Sequence, residues 1–354
     1  MNPDIIKLVQ TMAQSPSFDG LPAKLVHLTN ASGMTVSFMD IGATWLSCTV
    51  PMPEGAREVL LRSANMDEHM KQTAYFGSIV GRFANRIAKG QFSVDGVDYQ
   101  LDINNGENAL HGGLVGFDKR RWAIEKQTDN QVCFALRSAD GDQGYPGNLD
   151  VMVTYTLDEE NQLTILYQAH SDASCPVNLT NHAYFNLAGE GSAFNALEHS
   201  LQIKASYYLP VDATAIPTGD YKSVVGNSFD FTSLKLIGSE FLQDDDQKLA
   251  AGYDHSFVFS EEIADGKTPV AKLVSPNQDL TMIVKTTKPA MQVYTGNYLL
   301  GSIGVSKAYQ NHDGVALETQ YFPDSPNKEQ WQQRCPLLLP EQTYHHQTCY
   351  QFEF

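Results

Sequence analysis

Apolar residues recur at every second position along most of this 354-residue chain. That spacing gives one buried face only when the backbone is extended, because strand side chains alternate sides while helical ones return after 3.6 residues. Phe92, Val94, Val97, Tyr99 and Leu101 alternate with polar neighbours around Asp95-Gly96. This dipeptide suits the left-handed backbone that a two-residue hairpin turn demands. Val151, Val153, Tyr155 and Leu157 form a second run, which turns through Asp158 to Gln162 and returns as Leu163, Ile165 and Tyr167. Shorter runs lie at Val36-Phe38, Val132-Phe134-Leu136, Leu201-Ile203, Leu280-Met282-Val284 and Val315-Leu317. Helical spacing is confined to Asp4 to Ala13, Met66 to Ala74, and a turn or two between Ser233 and Leu242. Many short strands with frequent turn signals predict an all-β fold, a large antiparallel sandwich or barrel with few short helices. No linker, fixed-period repeat or low-complexity segment interrupts the chain, so residues 1–354 read as a single domain. The acidic run Asp244-Asp245-Asp246 reads as a solvated loop.

Composition removes several functions. With 24 Lys+Arg against 41 Asp+Glu the net charge is −17, which repels nucleic acid and anionic membranes. Five scattered cysteines (Cys48, Cys133, Cys175, Cys335 and Cys349) form no CxxC pair, so free thiols and a reducing compartment are expected. The first fifteen residues lack the basic start and apolar core of a signal peptide, and no apolar run approaches the roughly 20 residues of a membrane span. A cytoplasmic protein is expected. The stretch His111-Gly112-Gly113-Leu114-Val115-Gly116 misses the first glycine of a dinucleotide fingerprint. Asp140 to Tyr145 begins like a calcium loop but has Val151 where the bidentate Glu belongs. P-loop, GxSxG and HExxH patterns are absent. Only His345 and His346 are adjacent among ten histidines, and strand neighbours face opposite ways. No metal and no cofactor is expected.

Four segments combine ionisable groups with a strand-like setting: Gly81-Arg82-Phe83-Ala84-Asn85-Arg86-Ile87-Ala88-Lys89-Gly90; Asn108-Ala109-Leu110-His111-Gly112-Gly113 with Gly116-Phe117-Asp118; Asn178-Leu179-Thr180-Asn181-His182-Ala183-Tyr184-Phe185-Asn186-Leu187; and Gly314-Val315-Ala316-Leu317-Glu318-Thr319-Gln320 running into Pro323-Asp324-Ser325-Pro326-Asn327. A fifth, shorter element is Gly252-Tyr253-Asp254-His255. In this order they resemble the aldose 1-epimerases, the galactose mutarotases, from Asp40 to Phe352. The resemblance implies the galactose mutarotase-like supersandwich and cofactor-free exchange of the α and β anomers of free hexoses. Pro340-Glu341-Gln342-Thr343-Tyr344 departs from the family's Pro-Gly-Glu, and residues 1–21 stand out as an N-terminal extension without an assigned role.

Anomer exchange takes a proton from the C1 hydroxyl and gives one to the ring oxygen, so one acid and one base suffice. Glu318 shares a strand face with Ala316, Gln320 and Phe322. The local pattern leaves it either a solvated edge carboxylate or a desolvated base; the resemblance implies the base. His182 is either a core histidine or a proton donor, and the matching Asn-His-x-Tyr-Phe-Asn pattern implies the acid. The resemblance also implies that Asn85, Arg86, His111 and Asp254 hold the sugar hydroxyls, which both donate and accept. Arg82 and His255 read as structural, while Tyr184 and Phe322 are candidates for an apolar face against the sugar. A hexose 6-phosphate epimerase or a non-catalytic sugar binder on the same fold are the competing readings. Sugar preference and the choice between monomer and homodimer are not readable from the chain.

Overall fold

The computed structural model describes residues 3–354. Its largest sheet has nine antiparallel strands, in the order Ala123–Gln127, Gln131–Ser138, Leu149–Leu157, Gln162–Ser171, Tyr344–Glu353, Thr281–Thr286, Pro269–Val274, Ser200–Ile203 and Lys235–Leu236. The predicted Val151 run lies in this sheet and pairs with its return from Leu149↔Ser171 to Leu157↔Leu163. Leu149, Val151, Val153, Tyr155 and Leu157 all point into the core while Asp150 and Met152 face outward. Each such fully buried aliphatic side chain stabilises the fold by about 1.5–3 kcal/mol.

A second sheet has six strands, in the order Tyr184–Phe185, Val315–Gln320, Ala290–Tyr294, Asp254–Val258, Tyr207–Tyr208 and Lys222–Ser223. Its strand Val315–Gln320 is buried on both faces. Val315 and Leu317 join the main core, and the Leu317 carbonyl accepts the Tyr350 hydroxyl from the nine-stranded sheet at 3.1 Å. Ala316 lies on the other face, in a separate cluster with Tyr184 and Phe76. The two-residue period thus turns Glu318 away from the sandwich core.

The Asp95-Gly96 hairpin forms as expected, joining Gln91–Val94 to Val97–Gln100, with Asp95 at φ 52° and Gly96 at φ 78°. Helices are few. Pro3–Met12 lays Leu8 and Met12 against Met39, Ile41, Leu46 and Met66, so about half of the predicted extension is a packed helix. Residues 1–2 of it lie outside the described residues. The predicted helix at Met66 stops at Lys71, capped by Asn65, whose side chain accepts the Glu68 amide. The acidic run is a correction: Asp245–Leu249 is helical, and the Asp244 carboxylate accepts the Ser228 amide at 2.9 Å. Around Glu341 no residue from 340 to 343 has positive φ, and Gln342 closes the turn onto the Leu339 carbonyl at 2.9 Å. A glycine is therefore not required there. No helix among the described residues is long and apolar enough to cross a membrane.

Arg82 is 2% exposed and ties the segment leading to Asn85 to the loop that carries Ser138, Ala139 and Pro146. Its Nε donates to Ser138 Oγ at 2.9 Å, Nη1 to the Pro146 carbonyl at 2.8 Å, and Nη2 to the carbonyls of Ser138 and Ala139 at 2.9 and 2.7 Å. Removing the guanidinium takes these donors from the buried Ser138 and Pro146 carbonyls. Arg82→Met is expected to lower the free energy of unfolding in urea by about 3 kcal/mol. A loss below about 1 kcal/mol would show that the guanidinium is not the tie.

Candidate active site

Two loops meet where Asn85 and His111 both adopt left-handed backbone, at φ 68° and 51°. His111 N–H donates to the Asn85 carbonyl at 3.1 Å, and Asn85 N–H donates to His111 Nδ1 at 3.0 Å. The approach is so close that a Cβ on Gly112 would lie 1.8 Å from the Gly81 carbonyl oxygen, so only glycine fits. The turn also starts the short strand Arg86–Ile87, which aims Arg86 across the site. Arg86 Nε donates to Asn105 Oδ1 at 3.0 Å, and its Nη1 lies 3.7 Å from Asp254 Oδ2.

Strand register supplies the other wall. Gln292 lies opposite Glu318 on one side and Ser256 on the other. Its Nε2 donates to Asp254 Oδ1 at 2.7 Å, while its Oε1 accepts from Ser256 Oγ. His182 sits between the two-residue strands Thr180–Asn181 and Tyr184–Phe185, so the chain breaks its strand to present the imidazole. His182 Nε2 lies 3.5 Å from Glu318 Oε1.

A cavity of about 420 Å³ opens over this pair. All six residues predicted for the site line it: Asn85, Arg86, His111, His182, Asp254 and Glu318. Tyr184 lines it too, as expected. Phe322 does not, which corrects that expectation: it packs with Leu209, Val258, Ala290 and Trp331, because the strand ends at Gln320 and the alternation lapses. His255 is buried against Phe229 and Tyr208 on the opposite side from Asp254, in line with a structural role. Sequence reasoning missed Tyr75, Asn105 and Gln292. Gln292 left one signal, a lone polar residue within the apolar strand Ala290–Tyr294.

Burial sets the proton inventory. Desolvation pushes His182 from 6.5 to about 4, opposed by a hydrogen bond to its own backbone and then by the Asp254 charge. Desolvation also raises Glu318 well above the usual carboxylate value; Asp254 adds to this and Arg86 opposes it. His111 is pushed well down by burial and then by the charges of His182 and Arg86, so its ring is neutral. Because His111 Nδ1 accepts the Asn85 amide, its proton sits on Nε2, which is therefore a donor. Between the His182 and Glu318 values the pair holds one proton. His182 Nδ1 and Glu318 Oε2 have no hydrogen-bond partner outside their own residues, and both atoms are buried.

His111, His182 and Glu318 also bring one potential ligand atom each within 4.8 Å of one another. The spacing suits a cation, but the donor set does not, since His111 keeps its hydrogen on the nitrogen left for coordination.

The sequence profile described as aldose 1-epimerase matches residues 24–351. The chain belongs to the aldose 1-epimerase family. It is 48% identical to the aldose 1-epimerase of Escherichia coli (strain K12) over 347 residues, 98% of this chain and 99% of that protein. It is 42% identical to the galactose mutarotase of Homo sapiens over 324 residues, 90% of this chain and 91% of that one. The solved galactose 1-epimerase of Lactobacillus acidophilus NCFM superimposes with a TM-score of 0.82 at 32% identity, covering 95% of this chain and 96% of that one. The fold of this epimerase is the family's β-rich supersandwich.

The proton inventory is testable without turnover. The His182 imidazole is expected to titrate near pH 4 in proton NMR of the free protein, remaining neutral above that value. A midpoint near 6.5 would mean that water reaches the ring.

Proposed function

We propose that this epimerase interconverts the α and β anomers of free aldohexoses such as galactose and glucose, with Glu318 and His182 moving the two protons. The observation that carries this reading is the 3.5 Å His182–Glu318 pair under a cavity lined by hydroxyl-binding groups. Asp254 accepts, Arg86 and His111 Nε2–H donate, and Asn85 offers an amide, which matches hydroxyls that do both.

In ring opening, Glu318 takes the proton from the C1 hydroxyl and His182 delivers one to the ring oxygen. The C1–ring oxygen bond breaks as the C1 carbonyl forms. Rotation about C1–C2 then presents the other carbonyl face, and closure reverses both transfers. The single proton of the pair rests on Glu318 in the empty site, where burial favours both neutral forms. Sugar hydroxyls donating to Glu318 stabilise its carboxylate and shift that proton to His182, giving the ionised pair that the reaction uses. The five cysteines are all free, which supports the expected cytoplasmic setting.

Polarimetry of freshly dissolved α-D-glucose or α-D-galactose tests the activity directly; a rate equal to the uncatalysed one would leave a sugar binder. Glu318→Gln is expected to reduce kcat by roughly 10²–10⁴-fold while binding stays within a few-fold, because size is kept and basicity lost. Activity within tenfold of wild type would remove Glu318 from the mechanism.

The active pair carries one proton, so kcat/KM is expected to be bell-shaped in pH. It falls below about pH 4, as a second proton reaches His182, and falls again above the raised Glu318 value as the pair's proton is lost. An acid limb near 6.5 would contradict this assignment.

The cations near the cavity are already engaged: Arg86 faces Asp254, and Lys119 Nζ donates to the Leu114 carbonyl at 2.7 Å. Free hexose is therefore expected to exceed its 6-phosphate in kcat/KM by at least about tenfold at fixed ionic strength. A preference for the phosphate would move the assignment to hexose-phosphate epimerisation.

A further inference from the structure

We infer that Tyr75 is a positioning residue for anomer exchange, its ring fixing the plane of the His182 imidazole and shielding it from water. This rests on the mutarotase reading and adds to it a residue outside the five segments that carry the resemblance.

Tyr75 stands at φ 58°, a left-handed conformation that is a genuine outlier for an aromatic residue. Such strain persists only where surrounding contacts over-determine it, and it clusters at functional sites. The contacts here converge on His182. The Tyr75 carbonyl accepts Ser78 N–H at 3.0 Å and closes a tight turn. From that turn the Ser78 carbonyl accepts His182 N–H at 2.9 Å, and Gly77 N–H donates to the His182 carbonyl at 2.9 Å. One loop thereby holds both backbone groups of His182.

Its first residue then reaches the side chain. The Tyr75 ring lies 5.8 Å from the His182 ring at an interplanar angle of 24°, a stacked arrangement. Its other neighbour is His111, at 4.6 Å and edge-on. Tyr75 lines the cavity beside both histidines.

The remaining groups around His182 are His111 at 5.2 Å between ring centres, Tyr184 at 5.0 Å and Glu318 at 3.5 Å from Nε2. The charge of Asp254 is felt from its own strand, and Arg86 acts on the neighbouring His111 and Glu318. None of these replaces a stacked ring on the Tyr75 side. His182 Nδ1 has no hydrogen-bond partner outside its own residue, so no neighbouring group fixes the ring's rotation at that nitrogen. Stacking and shape must do so. A ring free to turn would present Nε2 to Glu318 and the sugar only part of the time, which lowers kcat more than it weakens binding.

Three variants separate the ring from the hydroxyl and from the backbone. Tyr75→Phe keeps the ring and is expected to retain kcat within about threefold. Tyr75→Gly relieves the left-handed strain, so the fold is kept, yet kcat is expected to fall at least about tenfold, with a smaller rise in KM. In the same variant the His182 imidazole should titrate above about 4, moving toward 6.5 as water enters. Tyr75→Leu, which fills space without a planar face, is expected to be slow as well and supplies the measurement if the glycine variant does not fold. Full activity in the Gly or Leu variants with an unmoved His182 titration overturns the inference. A Phe variant as slow as the Gly variant overturns it too, by placing the effect in the hydroxyl. Should the wild type fail to accelerate mutarotation, the activity reading falls; the His182 titration still reports separately whether Tyr75 covers the ring.

Discussion

The His182 imidazole and the Glu318 carboxylate face each other at 3.5 Å, at 5% and 3% side-chain exposure. Everything else about the site follows from the dryness of that contact. In water, a carboxylate and an imidazole at neutral pH would be a charged base and a mostly neutral ring with no reason to share a proton. Desolvation moves the two in opposite directions, the ring down and the carboxyl up, so that a wide pH interval opens in which the pair holds one proton. Small changes in hydrogen bonding from a bound ligand can then decide which partner carries it.

Keeping such a pair dry places demands on the backbone. The strand Val315–Gln320 must be buried on both faces, one against the nine-stranded sheet and one beneath the cavity. The strand that would carry His182 breaks into two-residue pieces on either side of it. Three residues around the cavity, Tyr75, Asn85 and His111, accept left-handed backbone without being glycine. Local strain of order 1–3 kcal/mol at each is offset by the large core, and the ties between loops, Arg82 above all, hold it in place.

The polar groups fall into two tiers by what they touch. Arg86, Asp254 and His111 face the cavity with hydrogen-bonding capacity to spare. Asn105 also lines it but chiefly holds Arg86, while the buried Gln292 holds Asp254 from behind. Mutual engagement of Arg86 and Asp254 removes most of the net charge from the wall, which favours a neutral, hydroxylated ligand over an anion despite the arginine.

The all-β architecture was legible in the chain because strand alternation and the Asp95-Gly96 turn are local properties: each depends on a few neighbouring residues and on burial of one face. The six residues that meet at the cavity were legible through family motifs, and alternation alone placed Glu318 on the face away from Val315 and Leu317. The same rule failed at Phe322, where the strand ends two residues earlier, since termination depends on long-range packing. It also hid Gln292, whose role appears only when register sets it opposite Glu318. Tyr75 was invisible for a related reason: neither its left-handed backbone nor its stacking on His182, more than a hundred positions away, is written in the residues beside it. Nor does the chain show that His111 spends Nδ1 on the Asn85 amide, the bond that makes its other nitrogen a donor. Residue types and their period settle the kind of fold and the chemical groups at hand. Proton placement, ring orientation and dryness are decided by contacts between distant segments, because desolvation and hydrogen-bond geometry exist only once those segments meet.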